Sequence, residues 1–211
     1  MALLINKLVE DDCLLGIWEV SEDFKTLISQ IRLDKEEADM VNAFTSHQRK
    51  LEWLSVRCLF KELTGLDHSI CYTEHRKPFL RDNGFNISIS HSKTFTSVLL
   101  SKSKRVGIDI EYMSHNIMAI SPKFINDKEV ITTDPKMQKY HLYIHWCAKE
   151  AIYKICDKQD INFKKNIFIA PFTPCKEGII TAMLNNSKGQ EEFTLHYSRV
   201  KNYTVVWCCK G

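Results

Sequence analysis

The sequence predicts an α+β fold with mostly antiparallel sheets, and three observations carry that expectation. Helix-period stretches are followed by several short strand-period runs, this order occurs twice, and 211 residues suffice for two packed subdomains of roughly 100 residues each. Leu14 to Val20 reads as a first strand. Ser21 then offers an N-cap, with Glu22 and Asp23 in the first turn of a helix patterned by Phe24, Leu27, Ile28 and Ile31. A second helical stretch covers Asp34 to Leu63. It breaks near Thr45 and Ser46, where Ser46 caps a new helix carrying Leu51, Leu54, Cys58 and Leu59 and Gly65 terminates it. Strands are expected at Phe85 to Ser90, Ser97 to Leu100 and Val106 to Glu111.

The second half repeats the order. Helices are expected around Ile120 to Val130 and from Lys139 to Cys156, then strands at Ile167 to Ala170, Ile179 to Leu184, Phe193 to Ser198 and Tyr203 to Cys208. Asn185 to Gly189 reads as a hairpin turn. The polar link Lys102 to Arg105 sets the expected domains at 1–104 and 105–211.

Composition narrows the class. With 44% hydrophobic and 26% charged residues, and only seven Gly and five Pro, the chain is neither disordered nor linker-rich. A net charge of +3 falls short of a dedicated nucleic-acid binder and suits a phosphorylated small molecule or an acidic protein partner better. The opening MALLINKLVEDDCLLGIWEV breaks its apolar runs with Lys7, Glu10, Asp11 and Asp12, so neither signal peptide nor membrane span is expected and a cytoplasmic location is. Eight scattered cysteines without a C-x-x-C read as reduced core thiols.

The chemistry concentrates in a few segments. In Val106-Gly-Ile-Asp-Ile-Glu-Tyr112 the apolar residues alternate with Gly107, Asp109 and Glu111, which places the two carboxylates on one strand face, Cα atoms roughly 7 Å apart, within reach of one hard cation. A wet outer strand face gives the same pattern. In Trp146-Cys-Ala-Lys-Glu-Ala-Ile-Tyr-Lys154, the stripe Ile144, Cys147, Ala148, Ala151, Ile152 and Ile155 marks a buried helix face. Glu150 and Lys154 stand four apart, either as an exposed helix-stabilising pair or with Glu150 as a third carboxylate aimed at the same site. Asn86-Ile-Ser-Ile-Ser-His-Ser92 alternates hydroxyls and ends near His91; no G-x-S-x-G elbow surrounds Ser90, so ligand binding fits better than a hydrolase nucleophile. Arg49, Lys50, Arg57 and Lys61 along one helix, with Arg76 and Lys77 in a separate loop, are either solvated charges or two clusters converging on a polyphosphate. His141 and His145 have zinc-helix spacing, but Leu142 stands where a metalloprotease needs glutamate, so zinc is not expected.

Taken together and in this order, these segments resemble the 4'-phosphopantetheinyl transferase superfamily. Its G-[IV]-D-[IL]-E strand stands here as Gly107 to Glu111 and its W-x-x-K-E-[AS]-x-x-K helix as Trp146 to Lys154. Arg76-Lys77-Pro78 is similar to its K-P element and Ser90-His91-Ser92 to its S-H-S element. The length resembles the larger, surfactin-synthetase-activating (Sfp-like) type. That resemblance implies a monomeric pseudo-dimer of two similar α/β subdomains, the first binding the coenzyme A nucleotide and the second holding the metal and catalytic motifs, with coenzyme A in the cleft between them. It implies transfer of the phosphopantetheine group from coenzyme A to a serine of an acyl or peptidyl carrier protein, with release of 3',5'-ADP.

Residue by residue, the resemblance implies Asp109, Glu111 and Glu150 as ligands of Mg²⁺, with Mn²⁺ also admissible. It implies Glu150, Lys154 and Asp109 as the catalytic set: Glu150 helping to deprotonate the carrier serine, Lys154 stabilising the departing nucleotide. Arg49, Arg57, Lys77, Ser90, His91, Lys149 and Lys154 are implied as coenzyme A contacts. The segment Met113 to Gln138 matches through Phe124 and Asp127-Lys-Glu129 and is expected to shape the carrier contact. A coenzyme A binding scaffold and a Mg²⁺-dependent nucleotide phosphohydrolase are the alternatives.

Overall fold

The structure, a computed structural model, describes residues 3–67, 69–82, 84–114, 116–156, 161–187 and 189–211. The chain divides into two compact units, Met1–Arg105 with Gly211 and Val106–Lys210.

In the first unit, strands β1 (Leu3–Glu10) and β2 (Cys13–Glu19) are followed by helices α1 (Phe24–Ser29), α2 (Lys35–Ala43) and α3 (His47–Thr64). The strands β3 (Ile70–Tyr72), β4 (Pro78–Leu80), β5 (Asn86–Ser92) and β6 (Phe95–Ser101) complete it. An antiparallel sheet of order β1-β2-β6-β5 packs against α3, and β3-β4 forms a separate hairpin. Trp18, Leu54, Leu59, Ile87, Val98 and Leu100 belong to its core.

Helix α3 begins and ends where its residues dictate. The Ser46 hydroxyl accepts from the Arg49 N–H, and Gly65 adopts φ 72°, returning its N–H to the Lys61 carbonyl. At α1 the cap is Asp23 rather than Ser21, because the Asp23 carboxylate reaches the Thr26 N–H at 2.8 Å. Strands β1, β3 and β4 carry too little apolar alternation to stand out in the sequence.

The second unit contains β7 (Arg105–Tyr112), the short helix α4 (Ile117–Ile120), the long helix α5 (Pro135–Ile155) and the short helix α6 (Phe163–Asn166). Strands β8 (Ile167–Ile169), β9 (Glu177–Asn186), β10 (Gly189–Val200) and β11 (Tyr203–Lys210) follow. The sheet order is β7-β11-β10-β9-β8, with antiparallel pairing from β11 through β8. Helix α5 lies on this sheet, and all six residues of its expected apolar stripe are buried. The expected hairpin turn joins β9 to β10; it includes Lys188, which lies outside the described residues.

One expected helix does not form. From Ile120 to Val130 the chain makes one 3₁₀ turn at Ser121–Lys123 and then leaves helical geometry. Pro122 lacks a backbone donor, the Asn126 side chain takes the Lys128 N–H, and Glu129 turns inward with its carboxylate accepting from the Asn126 N–H. Among the described residues no helix is long and apolar enough to cross a membrane. All eight cysteines are free; Cys175 is exposed rather than a core thiol.

Candidate metal and transfer site

The alternating strand β7 is covered on both faces. Ile108 and Ile110 are fully buried on one, and on the other Asp109 is only 4% exposed because α5 lies over it. Gly107 permits that approach: a Cβ there would run into the Ala151 carbonyl of α5. The face carrying Asp109 and Glu111 is therefore an interior face turned to a helix, and the solvent-exposed alternative does not hold.

Two side chains of α5 reach back to these carboxylates. Lys154 Nζ donates to Asp109 Oδ1 at 2.8 Å and to the Ile108 carbonyl at 2.9 Å. The Trp146 indole N–H points at Glu111 Oε1, at a long 3.5 Å. Along α5, Trp146, Glu150 and Lys154 are successive i, i+4 neighbours on one helix face. Since Lys154 meets Asp109 and Trp146 meets Glu111, the helix runs counter to the strand. Glu150 stands on the helix face between those two contacts.

The local charge is felt nearby. Burial pushes the Cys147 thiol well up, and the adjacent Asp109 and Glu111 charges push it further. Asp109 and Glu111 share the strand face and Glu150 stands on the facing helix, so all three offer hard carboxylate oxygens. Their ligand atoms do not all lie within 4.8 Å of one another, and Asp109 is held by the Lys154 ammonium. The donor type suits a Mg²⁺-type ion; the side chains as placed do not converge on one point.

The other motif lysine does something else. Lys149 is completely buried, and its ammonium donates to Glu129 Oε2 at 2.8 Å and to the carbonyls of Phe124, Phe163 and Ile167 at 2.7, 3.2 and 3.1 Å. The second Glu129 oxygen accepts from the Ile169 N–H at 2.8 Å. Burial lowers the Lys149 pKa and the Glu129 charge opposes this. Lys149 thus ties the segment around Phe124 to α6 and β8, and its charge is used inside the protein rather than offered to a ligand. Glu129 is a partner the sequence did not reveal, because nothing in the spacing of two residues 20 apart signals it.

In the first unit, the expected nucleotide residues separate into four places. Arg49 and His91 come together: Arg49 Nη1 donates to His91 Nε2 at 2.9 Å, and His91 Nδ1 lies 3.5 Å from Glu52 Oε2. Glu52, also 3.6 Å from Arg49, was not singled out in the sequence, although its place three residues after Arg49 on one helix was a usable signal. Ser90 is buried and, next to His91 on β5, projects to the opposite sheet face. Lys77 lies on the β3–β4 hairpin, in a turn closed by Thr73 and Lys77 with Arg76 at φ 59°.

Arg57 departs from the expected role. It is 4% exposed, with Nε on Glu37 at 2.7 Å, Nη2 on the Ile70 carbonyl at 3.0 Å and its guanidinium carbon 3.1 Å from the Trp53 ring centre. Burial lowers its pKa, and the charge of Glu37 opposes this. It staples the first unit's core. His141 and His145 likewise pack inside, around Phe172, with His141 Nδ1 accepting from the Thr132 N–H and His145 Nδ1–H donating to the His141 carbonyl.

Comparison with known proteins adds to this geometry. Residues 105–208 match the family model described as "4'-phosphopantetheinyl transferase superfamily". A Haemophilus influenzae protein named "Putative 4'-phosphopantetheinyl transferase" is 29% identical over 128 residues, a match covering 56% of this chain and 54% of that protein. The comparisons support the 4'-phosphopantetheinyl transferase superfamily. The superfamily match spans β7 through β11, the same stretch that contains Asp109, Glu111, Glu150 and Lys154. The aligned stretch is about half the length of the Haemophilus relative.

Proposed function

We propose that the chain transfers the 4'-phosphopantetheine group of coenzyme A to a serine hydroxyl of an acyl or peptidyl carrier protein, releasing 3',5'-ADP. The observation that carries this reading is the covered carboxylate face of β7, bound by Lys154 and Trp146 of α5 on either side of Glu150. The match of residues 105–208 to the superfamily supports it. The Sfp-like subtype, a pseudo-dimeric monomer and a cytoplasmic location are finer parts of the same proposal.

Asp109, Glu111 and Glu150 would hold a Mg²⁺ ion, with Mn²⁺ as a substitute. When bound, such an ion neutralises pyrophosphate charge and makes the phosphorus next to the pantetheine arm open to attack. The bond formed joins the serine oxygen to that phosphorus; the bond broken joins the same phosphorus to the bridging oxygen, which leaves with 3',5'-ADP. Glu150 accepts the serine proton, directly or through water, and the Lys154 ammonium stabilises the charge that develops on the leaving phosphate. Arg49 and His91, adjacent at 2.9 Å, hold the nucleotide end and its 3'-phosphate, with Lys77 of the β3–β4 hairpin as a further cation, while buried Ser90 acts only through its strand. Arg57 and Lys149 act on coenzyme A only through the elements they hold.

The test is to incubate the protein with coenzyme A, Mg²⁺ and a panel of apo acyl and peptidyl carrier proteins and to weigh each carrier intact. A covalent gain of one phosphopantetheine group is expected for at least one carrier, and not with Asp109→Ala or Glu150→Ala of unchanged fold. Coenzyme A turnover without a carrier points to a phosphohydrolase, and binding without turnover to a scaffold; either sinks the transferase reading.

A further inference from the structure

Lys154 stands one turn from Glu150 on the same helix, and in the structure its ammonium reaches the strand. It donates to Asp109 Oδ1 and to the Ile108 carbonyl, with 18% of the Lys154 side chain and 5% of the Asp109 side chain exposed. Such a contact is little screened by salt, and its charge lies within a few ångströms of any cation that shares the Asp109 carboxylate. It offsets the charge of Asp109 and opposes the arrival of a second positive charge there.

We infer that Lys154 is the resident counter-charge of the carboxylate set: it holds down the affinity of the protein alone for a divalent cation and makes tight cation binding depend on an anionic ligand. This rests on the function proposed above, in which the pyrophosphate of coenzyme A is that anion. A diphosphate near the site offers the ammonium a more negative partner than one carboxylate oxygen. Drawing Lys154 toward it frees Asp109 for the metal, so metal and diphosphate each tighten the other's binding. The same lysine is then already beside the leaving phosphate when the transfer begins.

The experiment is Mn²⁺ binding to the purified chain without coenzyme A, followed by the electron paramagnetic resonance signal of free Mn²⁺. The variants are Lys154→Met, Lys154→Gln, Lys154→Arg, Asp109→Asn and Lys164→Met, the last a half-exposed lysine paired with Asp127. Expected are a weak wild-type site lost in Asp109→Asn and affinity raised about tenfold or more in both neutral Lys154 variants. Lys154→Arg and Lys164→Met should behave as wild type. A disordered site would bind less tightly, so tightening cannot come from damage, and two neutral variants guard against one misfolding. Unchanged or weaker binding in Lys154→Met and Lys154→Gln, with binding still lost in Asp109→Asn, overturns this inference and leaves the proposed function standing. Wild-type Mn²⁺ binding that Asp109→Asn does not alter overturns the metal reading, and this inference with it.

Discussion

Arg57 and Lys149 are basic residues whose charge is enclosed, and each faces one buried carboxylate, Glu37 or Glu129. Removing one member of such a pair leaves the other charged and desolvated, at a cost of about 3–5 kcal/mol. Arg57→Met and Lys149→Met should each lose stability on that scale in urea unfolding, the first destabilising the unit up to Arg105 and the second the unit from Val106. Folded Arg57→Met should retain its affinity for coenzyme A. Lost affinity with unchanged stability would instead return Arg57 to the nucleotide-holding set.

At the scale of elements, the site depends on how closely α5 lies on β7. Gly107→Ala puts a methyl group against the Ala151 carbonyl, and backbone cannot step aside as a flexible side chain can. The expected cost is about 1–3 kcal/mol of overpacking, with carrier modification reduced by more than the stability loss explains, because the displaced helix carries Glu150 and Lys154. Intact-mass assays on protein shown to be folded by circular dichroism check this; wild-type transfer would contradict it. Local grammar made these elements legible: the alternation in β7, the stripe of α5, and the Ser46 and Gly65 signals of α3 all act within a few residues. What stayed hidden is non-local. Glu129 looked like part of a helix and is instead drawn from the local backbone toward Lys149, while β3 and β4 are three-residue strands whose pairing has no periodic signature. The Lys154 to Asp109 tie was equally invisible, since it joins residues 45 apart.

At the scale of the whole molecule, the two units should respond to acid in different windows. Burial lowers His141 to about 4 and His145 to about 3, and both lie in the unit from Val106. Folded, they stay neutral where the unfolded chain, with histidine near 6.5, takes up protons. Stability is therefore full above about pH 6.5 and falls as pH drops from there toward 4 for His141 and toward 3 for His145, by about 2 kcal/mol per histidine at pH 5. The first unit has depressed carboxylates instead: Asp23 is held down by the Thr26 N–H and Asp34 by the Glu37 N–H. Their contributions are present above the ordinary aspartate value of 3.8 and are lost only as pH falls through their lower folded values. Urea unfolding between pH 7 and 5 should thus weaken the histidine-bearing unit first, and His141→Phe with His145→Phe should flatten that slope even if the substitutions cost some stability at pH 7. A slope that survives both substitutions would place the acid-sensitive groups elsewhere.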